Sequence, residues 1–96
     1  MNNSTRPASI GPMHHAYILR SLSNPAKSYV GYTSLEVETR LKKHNKSEVR
    51  HTSKYVPWEI AFYAAFPDKH IALDFEKYLK SHSGKAFANK RLLPKL

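Results

Sequence analysis

Apolar side chains gather in three short segments that predict β-strands. Residues 15–20 are apolar on both alternations, which is typical of a strand at the centre of a sheet. Residues 28–32 and 59–66 continue this pattern, and in the last segment Ile60 and Phe62 are expected on one face. A loop around an Asn-Pro pair joins the first two segments, so they are expected to form an antiparallel hairpin.

A basic helix is predicted directly after the second strand, over residues 34–44. Val37 and Leu41 share one face of this helix and are expected to meet the core. Arg40 and His44 are four residues apart and share a neighbouring face. The helix therefore presents an apolar side and, next to it, a cationic side.

Both ends of this helix carry sequence signals. Thr33 precedes Glu36 by three residues, which is the spacing of a reciprocal N-terminal capping box. Asn45 suits the left-handed position that follows a helix. The basic residues before it are expected to interact with the partial negative charge at the C-terminal end of the helix. The polar and basic residues 46–56 are then expected to form a loop.

Two further helices are predicted after the third strand. Asp68 follows Pro67 and is expected to cap the first of them. A last short helix is predicted over residues 85–92. The apolar stripe of the longer helix repeats at a spacing of four: Ile71, Phe75 and Leu79.

The chain has 96 residues, of which 41% are hydrophobic, enough for one domain with a modest core. Without cysteine, neither a disulfide nor a thiolate zinc site can hold the fold, and a reducing compartment such as the cytoplasm is compatible. The domain is expected over residues 14–96, after a polar, disordered leader over residues 1–13. No segment has the roughly 20 apolar residues of a membrane helix.

Sixteen Lys and Arg residues against seven Asp and Glu residues give a formal net charge of +9. This excess predicts a polyanionic partner, and nucleic acid is favoured over the alternative of a charged face that only keeps the protein soluble. After Glu76 the sequence contains no acidic residue. The lysines expected to contact nucleic acid are Lys42, Lys43, Lys54, Lys77, Lys80 and Lys85.

Glu76 borders the apolar stripe of its predicted helix, so its carboxylate needs a partner. One alternative is an ion pair, either with Lys80 on the same helix or with Arg40 on the first helix. The other alternative is that Glu76 binds a metal ion. Spacing alone favours the ion pair.

Tyrosines in strands and helices are most simply core residues, and Tyr63 and Tyr78 are expected to be so. The alternation of the hairpin permits Tyr17 and Tyr29 to share one face, although sequence does not fix the register. Their hydroxyls could then form hydrogen bonds with a reacting phosphate. The arginine and histidine of the first helix are each more often surface cations, and it is their combination with the two tyrosines that indicates a site.

Residue types and spacing exclude three other kinds of site. The six histidines include no second pair at zinc-ligand spacing, and three glycines are too few for a phosphate-binding loop. No Ser, His and Asp set accompanies a recognisable nucleophile turn.

Several fragments, in this order, resemble the GIY-YIG endonuclease domain, in particular its small stand-alone bacterial members. The resemblance extends from about residue 16 to residue 91. The first-strand motif reads His15-Ala16-Tyr17 here and keeps only the tyrosine of the family. The later fragments are Tyr29-Val30-Gly31-Tyr32-Thr33, Arg40-Leu41-Lys42-Lys43-His44-Asn45, His51-Thr52-Ser53-Lys54-Tyr55, Pro57-Trp58-Glu59 and Glu76-Lys77-Tyr78-Leu79-Lys80.

The resemblance implies an α+β fold, in which helices flank a three-stranded antiparallel sheet, and metal-dependent hydrolysis of a nucleic-acid phosphodiester. By the same resemblance, Tyr17 or Tyr29 orients or deprotonates the attacking water. Arg40 neutralises charge on the scissile phosphate, and His44 assists by hydrogen bonding or proton transfer. Glu76 is expected to hold one divalent cation, Mg²⁺, which prefers oxygen ligands and stabilises the leaving oxygen.

Three further expectations come from the resemblance. The unperturbed pKa of tyrosine is about 10, so a tyrosine base needs help, and Arg40, the metal ion and Lys54 are expected to favour the phenolate. One residue more than in the commonest family pattern precedes Arg40, and the turn near Ser34 is expected to absorb it. Asn89 is the approximate counterpart of a late catalytic asparagine in the family.

The main hypothesis is a small endonuclease, acting on DNA without sequence specificity because so short a chain has no separate DNA-reading domain. The rival is a non-catalytic nucleic-acid-binding module on the same scaffold. Both predict salt-dependent binding, and only the first predicts cleavage. The chain is expected to be a monomer or a weak dimer. The site hypothesis requires Tyr17, Tyr29, Arg40 and Glu76 to converge on one cleft.

Overall fold

The computed structural model describes residues 11–94, so most of the predicted leader lies outside the described residues. Three antiparallel strands form one sheet in the order β2-β1-β3. The strands are β1 (His14–Ser21), β2 (Ser28–Thr33) and β3 (Trp58–Phe66). The helices are α1 (Val37–Asn45), a 3₁₀ helix (Arg50–Tyr55), α2 (Lys69–Lys80) and α3 (His82–Arg91). This architecture confirms the α+β fold and the hairpin.

The central strand β1 is buried on both faces, which explains its continuous apolar pattern. On one face Tyr17 packs with Val37 of α1. On the other face Ile18 packs with Leu79 of α2 and Ala88 of α3. The sheet therefore has a core on each side, and α1 lies on the side of Tyr17.

Strand pairing places Tyr17 opposite Gly31 and Tyr29 opposite Leu19. The two tyrosines are thus diagonal neighbours on one face, which confirms the expectation from alternation. A Cβ atom on Gly31 would lie 2.5 Å from the hydroxyl oxygen of Tyr17 and 2.9 Å from the Tyr29 ring. Glycine is required here because the Tyr17 phenol lies across the backbone of β2.

A β-bulge changes the face pattern of β3. Ile18 pairs with Phe62, whereas the next residue, Leu19, pairs with Ile60, so Ala61 has no partner in β1. Ile60 consequently packs in the core on the α1 side, and Phe62 packs in the opposite core. The expectation that both residues share a face is wrong, because the extra residue reverses the alternation.

The start of α1 differs from the prediction. Thr33 is the last residue of β2, and its hydroxyl accepts a hydrogen bond from the Leu35 N–H at 2.9 Å. The helix begins only at Val37, and the N-cap residue Glu36 makes no side-chain capping bond. The capping box is therefore wrong. Residues 34–36 form a turn before the helix, where the extra residue was expected.

The end of α1 is also different. Asn45 is the last helical residue, and the positive φ, 60°, occurs at Ser47. The Asn45 amide instead accepts from the Trp58 N–H at 2.6 Å and donates to the Trp58 carbonyl at 3.0 Å. This pair of bonds ties α1 to the start of β3. Residues 46–56, expected as loop, contain the 3₁₀ helix.

Asp68 caps α2 as predicted, because its side chain accepts from the N–H groups of His70 and Ile71. The third helix begins at His82, three residues earlier than predicted, because Ser81 caps it by accepting from the Gly84 N–H at 3.0 Å.

Three predicted core residues are exposed. Ile71 is 54% exposed, whereas Ala72 is buried in line with Leu79, because a helix repeats every 3.6 residues, or about 100° per residue. Tyr63 is 55% exposed on the edge strand β3, and Tyr78 is 40% exposed on α2. Aromatic composition indicated core positions, and the limited cover of this small domain leaves these rings at the surface.

Candidate active site

The hydroxyl of Tyr17 and the imidazole of His44 meet in the core between β1 and α1. The Tyr17 oxygen lies 2.9 Å from Nε2 of His44, and both residues are essentially inaccessible to solvent. Strand alternation turns Tyr17 toward α1, and two helical turns after Val37 bring His44 to the same core. The site thus begins with a buried hydrogen bond between two ionisable groups.

The other ring nitrogen of His44 is held by Thr52 of the 3₁₀ helix. The Thr52 hydroxyl donates to the Val49 carbonyl at 3.2 Å, so its oxygen accepts from Nδ1–H of His44 at 2.8 Å. With Thr52 donating to Val49, the proton of neutral His44 is assigned to Nδ1. Nε2 is left with a lone pair, and it accepts the hydrogen bond of the Tyr17 hydroxyl.

The environment keeps His44 neutral. Burial and, to a smaller extent, the positive charge of Arg40 together lower the pKa of His44 from its ordinary 6.5 to about 4. His44 is therefore unprotonated at neutral pH. It is not the helix-terminal cation that its position in sequence also permitted.

Arg40 lies one helical turn before His44 and reaches the same phenol. Its Nε–H donates to the Tyr17 oxygen at 3.4 Å, a long hydrogen bond. Within residues 11–94, Arg40 forms no ion pair with a carboxylate. A partly exposed guanidinium without an acidic partner is suited to bind phosphate.

The net effect on Tyr17 opposes the expected phenolate. Burial raises the pKa of Tyr17 above 10.0, Tyr29 and Glu76 add to the rise, and Arg40 lowers it without overcoming the burial. Arg40 thus favours the phenolate as expected, but in the protein alone burial outweighs this effect. Lys54 lies over the ring of Tyr55, with its Nζ 5.6 Å from the ring centroid, and has no part in this shift.

Tyr29 packs against both members of the buried pair. Its ring centroid lies 5.2 Å from that of His44 and 6.4 Å from that of Tyr17. Unlike Tyr17, it is partly exposed, and it also lines a cavity of about 510 Å³. Tyr29 therefore forms the boundary between the buried hydrogen-bond chain and the solvent.

The structure places Glu76 in the ion pair favoured by its spacing. Its Oε2 lies 2.6 Å from Nζ of Lys80, and its side chain is 15% exposed. Its negative charge also contributes to the raised pKa of Tyr17. Arg40, the other partner considered, is not paired with Glu76 among the described residues.

The donor set at Glu76 is compatible with one Mg²⁺ ion. In the described part of the chain, no three His, Cys, Asp or Glu side chains form a metal cluster. A single carboxylate nevertheless suits Mg²⁺, which keeps several waters and takes further ligands from substrate phosphates. A cation at Glu76 has to displace the ammonium group of Lys80 or share the carboxylate with it.

Asn89 lies in the wall of a cavity of about 510 Å³, together with Tyr29, Lys80 and Lys85. Tyr17, Arg40, His44 and Glu76 are not part of this wall. The structure therefore brings the site residues together in two adjoining groups, with Tyr29 and Lys80 between them.

The remaining predicted nucleic-acid contacts lie on exposed surfaces. Lys43 pairs with Glu48 at 3.8 Å, an ion pair between half-exposed side chains that contributes little stability. Lys42, Lys54 and Lys77 are exposed. Lys80 is also exposed, and its ammonium group is paired with the Glu76 carboxylate.

Thr52 is the functional candidate that sequence reasoning missed. It is fully buried, and its backbone carbonyl accepts from the indole N–H of Trp58 at 2.8 Å while its hydroxyl holds His44. A threonine in a polar, basic stretch gave no periodic signal. Its presence in a recurring fragment next to Trp58 was the one available indication.

A comparison with known protein families gives one match over most of the chain. The sequence model described as GIY-YIG catalytic domain matches residues 13–91. No curated protein matches the sequence significantly. None of the described helices is long and apolar enough to cross a membrane.

Proposed function

The chain belongs to the GIY-YIG catalytic domain family, which is of nuclease type, and we propose that it is a Mg²⁺-dependent endonuclease that hydrolyses DNA phosphodiester bonds without sequence specificity. One observation carries this proposal. A continuous hydrogen-bond chain runs from Arg40 through Tyr17 and His44 to Thr52. It provides a proton acceptor that is buried, neutral and oriented.

Tyr17 acts as a relay for the proton of the attacking water. Because its pKa is raised, the phenol stays protonated at neutral pH. It therefore cannot act as a phenolate, which would be the stronger base. With the His44 proton on Nδ1, however, the phenolic proton is directed at Nε2 of His44, 2.9 Å away. When water gives a proton to the Tyr17 oxygen, the phenolic proton passes to His44.

Arg40 supports both the proton transfer and the phosphate. Its Nε–H bond to the Tyr17 oxygen stabilises negative charge that develops there during the transfer. Its other N–H groups are available for the non-bridging oxygens of the scissile phosphate. Tyr29, at the exposed edge of the same cluster, contributes a hydroxyl that can orient the water or the phosphate.

Glu76 would hold the divalent cation, which when bound neutralises charge on the reacting phosphate and the leaving oxygen. Lys80 then leaves the carboxylate and can contact a phosphate of the substrate. DNA as the substrate agrees with the +9 charge and the exposed lysines.

The test is incubation of the protein with supercoiled, branched and single-stranded DNA and with RNA, in Mg²⁺ or in chelator. Wild-type protein should nick at least one DNA substrate in Mg²⁺, and Glu76→Ala should reduce the rate by about 10²-fold or more. Equal cleavage in chelator, or equal cleavage by Glu76→Ala, would refute the metal-dependent mechanism. Binding to DNA without cleavage of any substrate would favour the non-catalytic module.

A further inference from the structure

The cavity between β2 and the two C-terminal helices has no role in the hydrogen-bond chain. Its volume is about 510 Å³, within the range of about 300–1,000 Å³ of small-molecule sites. Ile18, Val30, Leu79 and Leu93 belong to one packed core cluster, and their exposed atoms form the apolar wall of the cavity. Such a wall suits a flat, largely apolar group.

The polar part of the cavity has a defined chemistry. Lys80 and Lys85 are the charged residues in its wall, and none of the described lining residues is acidic. Asn89 adds a side-chain amide, which both donates and accepts hydrogen bonds. An anionic ligand with a flat, hydrogen-bonding ring fits the apolar wall, the two lysines and the amide of Asn89. A nucleotide is such a ligand.

The cavity is joined to the proposed catalytic group at two residues. Tyr29 lines the cavity and packs on His44, with ring centroids 5.2 Å apart. Lys80 lines the cavity and binds Glu76 through its ammonium group. A nucleotide in the cavity would therefore lie next to the phosphate at Tyr17 and Arg40, on the same strand.

We propose that this cavity is a subsite for one unpaired nucleotide of the strand to be cut, with its base against the apolar wall and Asn89, and its phosphate at Lys80 and Lys85. This inference rests on the proposed function. A base that is paired and stacked in a duplex cannot contact the apolar wall of the cavity. The bound nucleotide therefore has to be unpaired and unstacked. The phosphate at Lys80 competes with Glu76 for its ammonium group, which releases the carboxylate.

The test compares Lys85→Ala with Lys90→Ala in the full chain. Both are exposed lysines of α3 and both changes remove one charge, but only Lys85 lines the cavity. Binding is measured in chelator by fluorescence anisotropy, with an oligothymidylate of about ten nucleotides and with a blunt duplex of the same length. Thermal unfolding confirms that each variant is folded.

Lys85→Ala should weaken binding of the oligothymidylate by about tenfold and Lys90→Ala by less than about threefold, while both weaken duplex binding alike. Asn89→Leu, which changes no charge, should weaken only the oligothymidylate, by about fivefold or more. Equal effects of the two lysine variants, or equal losses on both nucleic acids, would overturn the subsite. Because binding is measured without Mg²⁺, the subsite can fail while cleavage is retained, and it can stand where no cleavage is found.

Discussion

The chemistry of this site depends on which nitrogen of His44 carries a proton. A Thr52 hydroxyl that donates to the Val49 carbonyl assigns the His44 proton to Nδ1, and in this tautomer Nε2 accepts from Tyr17. A phenol with a raised pKa is a poor base alone, but beside a neutral imidazole it conducts a proton. In the proposed mechanism the two residues therefore act as one unit.

His44 should make folding stability depend on pH. The unfolded histidine titrates near 6.5 and the folded one at about 4, so the unfolded state binds more protons between these values. The free energy of unfolding should therefore fall by about 3 kcal/mol as the pH is lowered from above 6.5 to about 4. Urea unfolding of the wild type and of His44→Gln should show a smaller loss of stability on acidification in the variant. Parallel pH dependences would contradict the lowered pKa.

Thr52 should act as a positioning residue. Thr52→Val keeps the shape but leaves Nδ1–H of His44 unpaired, and it should cost about 1–3 kcal/mol of stability and slow DNA cleavage. Thr52→Ser should restore both. The direct readout is the ¹⁵N spectrum of the His44 ring, in which the valine variant should lose the preference for the Nδ1–H tautomer. An unchanged tautomer in that spectrum would leave Thr52 with a packing role only.

Gly31 should be required for activity because of its position opposite Tyr17. Gly31→Ala places a Cβ 2.5 Å from the Tyr17 hydroxyl oxygen, so the phenol has to leave His44. Cleavage should fall by about 10²-fold or more, as expected when a proton-transfer group is misplaced. Gly11→Ala is the matched control, because among residues 11–94 no atom beyond its chain neighbours lies within 4 Å of its Cβ position. Normal cleavage by Gly31→Ala would show that the phenol position is not needed.

At the scale of elements, local sequence patterns predicted the strands, α1 and α2 well, and their ends less well. Alternation placed Tyr17 and Tyr29 on one face, and the four-residue spacing placed Arg40 and His44 together. The bulge at Ala61 and the 3₁₀ helix that carries Thr52 were not predictable, because long-range pairing creates them. Tyr17 pairs with both outer strands, and Trp58 binds Thr52.

The junction between α2 and α3 should be sensitive to a single methyl group. A Cβ on Gly84 would clash with the Tyr78 carbonyl. The atoms that it meets are backbone atoms of Tyr78 and Leu79, which have little room to move. Gly84→Ala should therefore destabilise the fold by about 2 kcal/mol or more and displace Lys85 and Asn89 of α3. Thermal unfolding measures the first effect and oligothymidylate binding the second. A melting temperature equal to that of the wild type would contradict the close packing.

For the whole molecule, net charge and composition correctly indicated the class of partner that the family implies. They could not locate the site, because a charge of +9 spread over exposed lysines is equally expected of a binding module. The resemblance supplied the set of site residues. The structure added that Asn89 lies at a separate cavity, which no local pattern shows, since its walls come from two strands and two helices.

The central claim is that Tyr17 passes the proton of the attacking water to His44. Single-turnover cleavage of DNA in Mg²⁺ by Tyr17→Phe tests it most directly, since this change removes only the hydroxyl. Tyr63→Phe is the control, because Tyr63 pairs with Tyr17 across β1 and β3 but is exposed. Tyr17→Phe should be slower by about 10²–10⁴-fold, and Tyr63→Phe should cleave as the wild type does. Cleavage by Tyr17→Phe at the wild-type rate would contradict the account.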